Sequence, residues 1–177
     1  FEGEFMENLK IATLGGGCFW CLDAVFSRIN GVKSITSGYS GGISLNPKYE
    51  QVCSGETGHA EVIQISFDIK KLTYEALLDW FWRVHDPTTL NRQGGDIGTQ
   101  YRSVIFYHSE DQKNIALESK NKLEKNSIFK DPIVTEIIKI EEFFPAEEYH
   151  QDYFRKNPDA GYCNYVIQPK LQKLKLK

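Results

Sequence analysis

The chain has 177 residues, of which 41% are hydrophobic and 25% are charged, and its formal net charge is −3. This length suffices for one domain with a buried core, and the small acidic charge argues against a nucleic-acid or membrane partner. No apolar run approaches the roughly 20 residues of a membrane-spanning helix. Without a repeat or a long Pro/Ser linker, residues 1–177 are predicted to form a single domain. Residues 1–5 lack the basic start of a signal peptide, and we expect them to be a cloning remnant before a native start at Met6.

The first elements follow from hydrophobic periodicity. A short apolar strand over residues 11–14 runs into three glycines. Apolar residues at helical spacing predict a helix over residues 22–29, and a strand is predicted over 32–39. The Gly-, Ser- and Pro-rich stretch over residues 41–58 indicates a long ordered loop. Strict apolar and polar alternation over residues 63–67 predicts a half-buried strand.

The second half of the chain shows the same alternation of elements. Thr73 is typical of a helix N-cap, and this helix is predicted to end before Pro87. The later elements are predicted as a polar loop over 88–100, a strand over 101–108, a helix over 109–126, a strand over 133–140, a helix over 145–156 that begins at Pro145, and an irregular tail over 157–177. Because two of the crossovers are loops, the pattern favours an α/β (α+β) fold, a two-layer sandwich on a mixed β-sheet with long ordered loops.

Four cysteines stand in the sequence, Cys18, Cys21, Cys53 and Cys163. Four are too few for a disulfide-rich secreted scaffold, and we expect a cytoplasmic protein. In a reducing compartment, cysteines act as metal ligands, as catalytic thiols or as inert core residues. The residues around each cysteine therefore decide which role is favoured.

Cys18 follows three glycines and lies at the predicted start of a helix. A helix N-terminus stabilises a thiolate, the nucleophilic form of cysteine, so this position favours a reactive residue. The alternative is that Cys18 is a small buried hydrophobe. Phe19 and Trp20, which follow it, are equally compatible with a core position.

Cys18 and Cys21 form a C-x-x-C pair on one face of the helix. Such a pair suits disulfide exchange or metal ligation. A zinc site needs a second pair of ligands, and Cys53, His59 and Cys163 form no second motif. A general C-x-x-C thiol-disulfide oxidoreductase and a zinc-stabilised binding module therefore remain alternative interpretations, and we predict no metal site.

Glu61 precedes the alternating strand and shares the parity of its apolar residues. If the strand begins this early, the carboxyl group faces the apolar side, where burial raises its pKa toward neutrality. A carboxylic acid that stays protonated near pH 7 can act as a general acid. A bulge that turns Glu61 toward solvent is the alternative.

Asp96, Tyr101 and Tyr49 lie in or beside the two long loops. Phenol hydroxyls donate hydrogen bonds without carrying charge, so tyrosines in such loops are candidate binding groups. Each residue alone is equally compatible with an ordinary surface role, and chain order does not show that the three converge.

Several motifs occur along the chain in the order found in one family. They are Gly17-Cys18-Phe19-Trp20, Ser37-Gly38-Tyr39, Asn46-Pro47 with Tyr49, Gly58-His59-Ala60-Glu61, Asp86-Pro87-Thr88, Gly98-Thr99-Gln100-Tyr101-Arg102-Ser103, Ala146-Glu147-Glu148-Tyr149-His150-Gln151 and Gly161-Tyr162-Cys163. Together they closely resemble the peptide methionine sulfoxide reductase A family, from about Leu9 to Cys163. The resemblance implies an oxidoreductase that returns methionine S-sulfoxide, free or in oxidised proteins, to methionine.

The resemblance also implies roles for single residues. Cys18 matches the nucleophile that attacks the sulfoxide sulfur and becomes a sulfenic acid. Glu61 matches the acid that protonates the sulfoxide oxygen. Tyr49 and Tyr101 match phenols that hydrogen-bond this oxygen, and Asp96 matches a carboxylate that orders the site.

For the remaining positions, the resemblance implies that Phe19 and Trp20 form an apolar pocket for the substrate methyl group. Cys163 matches a resolving cysteine whose disulfide with Cys18 is reduced by thioredoxin, or by dithiothreitol in vitro, with no bound cofactor. Many members carry glycine at the position of Cys21, which makes Cys21 a possible alternative resolving residue. An i,i+3 disulfide at a helix start is cramped, so we favour Cys163. We expect a monomer.

Overall fold

The computed structural model describes residues 8–176. The strands in this range are β1 (Leu9–Gly15), β2 (Val32–Ser40), β3 (Ala60–Asp68), β4 (Arg92–Gln93), β5 (Asp96–Ile97), β6 (Val104–Tyr107), β7 (Glu136–Lys139) and β8 (Phe143–Pro145). Six of them form a sheet in the order β7-β6-β1-β3-β2-β8, and β4 and β5 form a separate hairpin. Every neighbouring pair of the large sheet is antiparallel except β6 with β7, so the predicted mixed sheet is confirmed.

Helices connect most of these strands. They are α1 (Phe19–Phe26), α2 (Tyr49–Cys53), α3 (Tyr74–Val84), α4 (Glu110–Lys125), α5 (Tyr153–Lys156) and α6 (Gln168–Lys173). The Cys163–Ile167 segment before α6 is a π-helical turn. Within residues 8–176, no helix has both the length and the apolar character needed to cross a membrane.

The main core forms on the face of the sheet that α1 covers. Alternation along β3 turns Ile63, Ile65 and Phe67 into this core, whereas Ala60 and Val62 face a smaller apolar cluster on the other side. α1 packs against β2 and β3 in the main core. The buried face of β3 therefore lies against α1.

The helix predicted after Thr73 is confirmed. The Thr73 hydroxyl accepts a hydrogen bond from the Ala76 N–H at 3.0 Å, which caps α3. Its apolar stripe, which includes Leu77, Leu78 and Phe81, is fully buried. Capping and periodicity agree here, and the helix forms where both signals coincide.

Two predictions about the last third of the chain are wrong. Pro145 opens no helix, because it ends β8, an edge strand in which Pro145 pairs with Gly38. A proline, which has no N–H, is tolerated at a sheet edge. The tail over residues 157–177, predicted to be irregular, contains the π-helical turn and α6, where Ile167 and Leu171 are buried four residues apart.

Residues 1–5, predicted to be a cloning remnant, lie outside the described residues, as does Met6. The loop predicted over residues 41–58 contains the five-residue helix α2. The loop predicted over residues 88–100 contains the β4–β5 hairpin. Both loops are therefore ordered by short elements of their own.

Candidate active site

Cys18 lies at the N-terminus of α1, as the sequence predicts. Gly17 adopts a φ of +103°, and a Cβ atom there would lie 2.9 Å from the Gln93 Cγ, so a side chain is excluded at this turn. Cys18 itself has an extended backbone (φ −66°, ψ 131°) and is the N-cap residue of α1. Its side chain is 8% exposed. The strand–glycine–helix sequence thus places the thiol just below the surface.

The environment of Cys18 favours the protonated thiol in the substrate-free protein. Burial raises the pKa of Cys18 well above its ordinary value, and the nearby charges of Glu61 and Cys21 raise it further. A hydrogen bond from the Trp20 backbone acts in the opposite direction and is the smaller effect. Desolvation therefore opposes the stabilisation of a thiolate that the helix N-terminus provides.

Glu61 faces the interior, as its strand parity predicts, and the alternative of a solvent-facing bulge is wrong. It lies opposite Tyr39 in the β2–β3 pairing and is 1% exposed. Its Oε1 accepts a hydrogen bond from the Phe19 N–H at 3.1 Å, and its Oε2 is buried with no hydrogen-bond partner among the described residues. Burial raises the pKa of Glu61 to about 8, so the carboxyl group is mostly protonated at pH 7.

The two loop tyrosines approach the same position. Burial raises the pKa of Tyr49 and that of Tyr101, and the charge of Glu61 raises both further. The charge of a Cys18 thiolate also raises the pKa of Tyr101. The Tyr49 hydroxyl interacts with the thiol of Cys53, which is an exposed cysteine. Glu61 is thus held beside Cys18 through the Phe19 N–H, and both phenols lie close enough to Glu61 for its charge to raise their pKa values.

Trp20 and Phe19 lie beside this group but differ in accessibility. Trp20 is half-buried; its ring stacks on Tyr153 at a centroid distance of 3.7 Å, and its Nε1–H donates to His150 Nδ1 at 3.0 Å. Phe19 is fully buried, with its ring centroid 5.1 Å from that of His150. Part of the Trp20 side chain is therefore accessible to solvent, whereas Phe19 is a core residue without an exposed surface.

Asp96 interacts with a residue that the sequence analysis did not identify as functional. The Tyr162 hydroxyl donates to Asp96 Oδ2 at 2.7 Å, and the same hydroxyl oxygen lies 3.3 Å from Cys21 Sγ. Because a carboxylate only accepts, the single hydroxyl proton points to Asp96, and the Cys21 thiol is the donor to Tyr162. Asp96 is thereby connected to Cys21 through Tyr162.

Cys163 is the first residue of the π-helical turn and is 0% exposed. Burial raises the pKa of Cys163, and the charge of nearby Cys21 raises it further. All four cysteines are free thiols. Within the described range, 8–176, no cluster of three or more His, Cys, Asp or Glu side chains is suited to hold a metal ion.

Glu147 is a second residue whose role is not predictable from its neighbours in the sequence. Its Oε1 accepts from the Tyr39 hydroxyl at 3.0 Å, and its Oε2 accepts from the Tyr49 N–H at 3.1 Å and the Tyr149 hydroxyl at 3.2 Å. This carboxylate therefore fixes the start of α2 and, with it, the Tyr49 side chain. In the sequence, the only signal for Glu147 is its position in the Ala146-Glu147-Glu148-Tyr149-His150-Gln151 motif.

Comparisons with known proteins place the whole chain beside one family. A family model described as "Peptide methionine sulfoxide reductase" matches residues 10–177. A curated relative, peptide methionine sulfoxide reductase MsrA of Leptospira borgpetersenii serovar Hardjo-bovis, is 57% identical over 165 residues, which are 93% of each chain.

Solved structures show the same fold. Mxr1 from Saccharomyces cerevisiae in its reduced form superposes with a TM-score of 0.83 at 37% identity, covering 89% of this chain and 90% of that one. Mxr1 in complex with Trx2 superposes with a TM-score of 0.60 at 28% identity, covering 83% of this chain and 86% of that one.

Proposed function

Because the chain belongs to the peptide methionine sulfoxide reductase family, we propose that it reduces the S-epimer of methionine sulfoxide, free or in oxidised proteins, through Cys18. The observation that supports this most directly is the convergence of the Cys18 thiol with Glu61, a buried carboxyl group whose pKa is about 8. A sulfoxide sulfur becomes a good electrophile only when its oxygen is protonated or strongly hydrogen-bonded. This site supplies a thiol and a neutral acid together.

Glu61 is the general acid in this proposal. At pH 7 it is mostly protonated, and its Oε2 is buried without a hydrogen-bond partner among the described residues. The Oε2–H group is therefore available to donate a hydrogen bond to the sulfoxide oxygen. Tyr49 and Tyr101 donate further hydrogen bonds to the same oxygen, and their raised pKa values keep both phenols neutral.

Cys18 is the nucleophile. The thiol loses its proton as its sulfur attacks the sulfoxide, and the sulfoxide oxygen ends on Cys18. The substrate sulfur is reduced by two electrons to methionine, and Cys18 is oxidised to a sulfenic acid whose oxygen carries the proton given by Glu61, while the thiol proton returns Glu61 to its neutral form. Since burial favours the neutral thiol before substrate arrives, thiolate formation is coupled to substrate binding.

Substrate binding is assigned to the aromatic surface of Trp20, against which the methyl group packs. Phe19 contributes from the core, because its N–H holds the Glu61 carboxyl group. Asp96 acts as a positioning residue, since it contacts Tyr162. Each of these roles requires a dry site, in which hydrogen bonds to the sulfoxide oxygen are strongest.

Recycling of the sulfenic acid needs a second thiol and an external reductant. We assign the final disulfide to a pair that includes Cys163, with thioredoxin as the reductant or dithiothreitol in vitro, and no bound cofactor. The Mxr1 complex with Trx2, a structural neighbour of this chain, supports thioredoxin as the partner. Four cysteines are too few for a secreted disulfide scaffold, so we propose a cytoplasmic location, and we propose that the enzyme acts as a monomer.

Separate assays with the two epimers of a methyl sulfoxide test this proposal. The S-epimer should be converted to the sulfide at least about 100-fold faster than the R-epimer, because only one epimer directs its oxygen to Glu61 while its sulfur faces Cys18. Cys18→Ser provides the background rate. Equal turnover of both epimers contradicts the proposal.

A further inference from the structure

Arg102 directly follows Tyr101, and its side chain is only 12% exposed. An arginine keeps its charge inside a protein, so a buried guanidinium group requires acceptors for its N–H groups. Burial lowers the pKa of Arg102, and the charge of Glu136 acts in the opposite direction. The guanidinium is therefore held by protein partners rather than by water.

Two different N–H groups of the guanidinium bind two different segments of the chain. Nε–H donates to Glu136 Oε1, at the start of the edge strand β7, at 3.2 Å. Nη1–H donates to the Thr99 carbonyl oxygen at 2.9 Å, and the Arg102 backbone N–H donates to the same oxygen at 3.2 Å. The side chain thus closes the 3₁₀ helix Thr99–Tyr101 and ties it to the sheet.

The third nitrogen of the guanidinium packs against the loop that carries Tyr49. A Cβ atom at Gly41, the first residue after β2, would lie 3.0 Å from Arg102 Nη2. Gly41 also has a φ of +89°, a conformation that residues with side chains rarely adopt. The glycine therefore allows the backbone to approach the guanidinium, and Arg102 contacts the loop of Tyr49 as well as the 3₁₀ helix of Tyr101.

The 3₁₀ helix that Arg102 closes lies beside the proposed catalytic groups. It packs against β3, the strand that carries Glu61. Burial raises the pKa of Tyr101, and the charges of Glu61 and Cys18 raise it further. The Tyr101 hydroxyl is therefore within electrostatic reach of both the acid and the nucleophile, and its position depends on the backbone of the 3₁₀ helix.

We propose that Arg102 is a positioning residue that fixes the Tyr101 phenol at the sulfoxide oxygen. This inference rests on the proposed function, because it assumes that Tyr101 donates to that oxygen. A 3₁₀ helix of three residues has few hydrogen bonds of its own, and Arg102 supplies a second donor to its first carbonyl group. The guanidinium is directed to Glu136 and Thr99, so it acts through Tyr101 and not on the substrate.

The planar shape of the guanidinium is essential to this role. Its Nε–H and Nη1–H groups point in fixed, different directions, whereas a lysine ammonium is a compact charge on a flexible chain. Arg102→Lys therefore keeps a positive charge beside Glu136 but loses the rigid fork that holds the Thr99 carbonyl group at the same time. This substitution separates the charge of residue 102 from its geometry.

Gln100 attaches the same 3₁₀ helix to a second element. It is buried, and its Nε2–H donates to the carbonyl oxygen of Cys53, the last residue of α2, at 3.4 Å. This bond is longer than the one from Arg102 to Thr99. Loss of the Arg102 contact should therefore shift Tyr101 without detaching the whole segment.

A double-mutant cycle on the rate of the first turnover tests this role. The full chain is reduced, mixed with saturating methionine S-sulfoxide and quenched at intervals, and the methionine formed is quantified. The cycle compares the wild type, Arg102→Lys, Tyr101→Phe and the double variant, and a second cycle uses Tyr49→Phe in place of Tyr101→Phe. Arg83→Lys is the matched control, since Arg83 is an exposed arginine of α3.

Arg102→Lys should slow the first turnover about tenfold, because a displaced phenol stabilises the transition state less. In the Tyr101→Phe background, the same substitution should change the rate by less than about twofold, since no hydroxyl remains to be positioned. In the Tyr49→Phe background, the full loss should persist. Arg83→Lys should keep the wild-type rate.

The pH profile shows whether Arg102 acts through Tyr101 or through Glu61. In the wild type, the rate should fall as pH rises through about 8, the pKa of Glu61. Arg102→Lys should lower the rate at every pH and leave this midpoint unchanged. A shifted midpoint means that Arg102 acts on the acid, and it overturns the inference.

A wild-type rate in Arg102→Lys, or a loss of equal size with and without the Tyr101 hydroxyl, also overturns the inference. Glu136→Ala keeps the test decisive if Arg102→Lys does not fold, because it removes the acceptor of Nε from an exposed position of β7. It should slow the first turnover about threefold, and this loss should likewise disappear in Tyr101→Phe. A loss that persists there, or no loss, overturns the inference. Failure of the wild type to form methionine contradicts the proposed function instead.

Discussion

The Phe19 N–H donates a hydrogen bond to Glu61 Oε1 at 3.1 Å, which joins the start of α1 to the buried end of β3. Phe19 directly follows Cys18, so this contact fixes the acid relative to the nucleophile. Both partners are almost completely buried on regular elements. A short segment of each element therefore positions the proposed catalytic pair before substrate arrives.

Glu61→Gln should slow sulfenic acid formation by about 10²–10³-fold, because the amide keeps the shape of the neutral acid but gives no proton to the sulfoxide oxygen. In the wild type, the rate of the first turnover should fall as pH rises through about 8, the pKa of Glu61. Rapid quenching and quantification of methionine measure both effects.

Glu118→Gln is the matched control for this substitution, since Glu118 is an exposed residue of α4. It should leave the rate and its pH dependence unchanged. An unchanged rate in Glu61→Gln removes Glu61 as the acid and favours a general C-x-x-C oxidoreductase, which an insulin reduction assay then detects.

Glu61→Gln should also stabilise the folded protein, and the size of this stabilisation should depend on pH. The pKa of Glu61 is about 8 in the folded state, against an ordinary value of 4.5. Between these values the unfolded chain ionises while the folded one stays neutral, so wild-type stability falls as pH rises from about 4.5 to 8. At pH 7 the penalty is up to about 3 kcal/mol. Glu61→Gln removes it.

Denaturant unfolding of both proteins at pH 4 and pH 8 checks this prediction. The difference in unfolding free energy between Glu61→Gln and the wild type should be close to zero at pH 4 and largest at pH 8. A difference that does not change with pH contradicts a raised pKa at Glu61.

Local sequence signals predicted the part of the site that depends on neighbours in the chain. The glycines before Cys18 and the strand parity of Glu61 located both groups, because backbone conformation within a few residues determines where they point. The Thr73 cap predicted the start of α3 in the same way.

Contacts between distant segments could not be predicted from the sequence. Cys21 and Tyr162 are separated by 141 positions, and Trp20 and His150 by 130. Only the folded sheet brings them together. The burial of Cys18, which raises the pKa of its thiol, is likewise a tertiary property.

Cys163→Ser should leave the first turnover intact and reduce multiple turnovers with thioredoxin at least about 100-fold, because the disulfide that thioredoxin is proposed to reduce cannot form. Turnover with dithiothreitol, a small reductant, should be reduced less. A coupled assay of NADPH consumption with thioredoxin and thioredoxin reductase measures the effect.

Cys53→Ser, which removes an exposed thiol, should retain recycling by thioredoxin in the same assay. Recycling at the wild-type rate in Cys163→Ser contradicts the assignment of Cys163 to the final disulfide. If recycling then fails in Cys21→Ser, Cys21 alone is the resolving residue.

The oxidation state of Cys18 after one turnover tests the central claim most directly. The Cys21→Ser/Cys163→Ser double variant, mixed with one equivalent of methionine S-sulfoxide, should release about one equivalent of methionine and gain one dimedone adduct, located by peptide mass spectrometry at Cys18. Release of methionine with the adduct at another cysteine, or with Cys18 unmodified, contradicts the account.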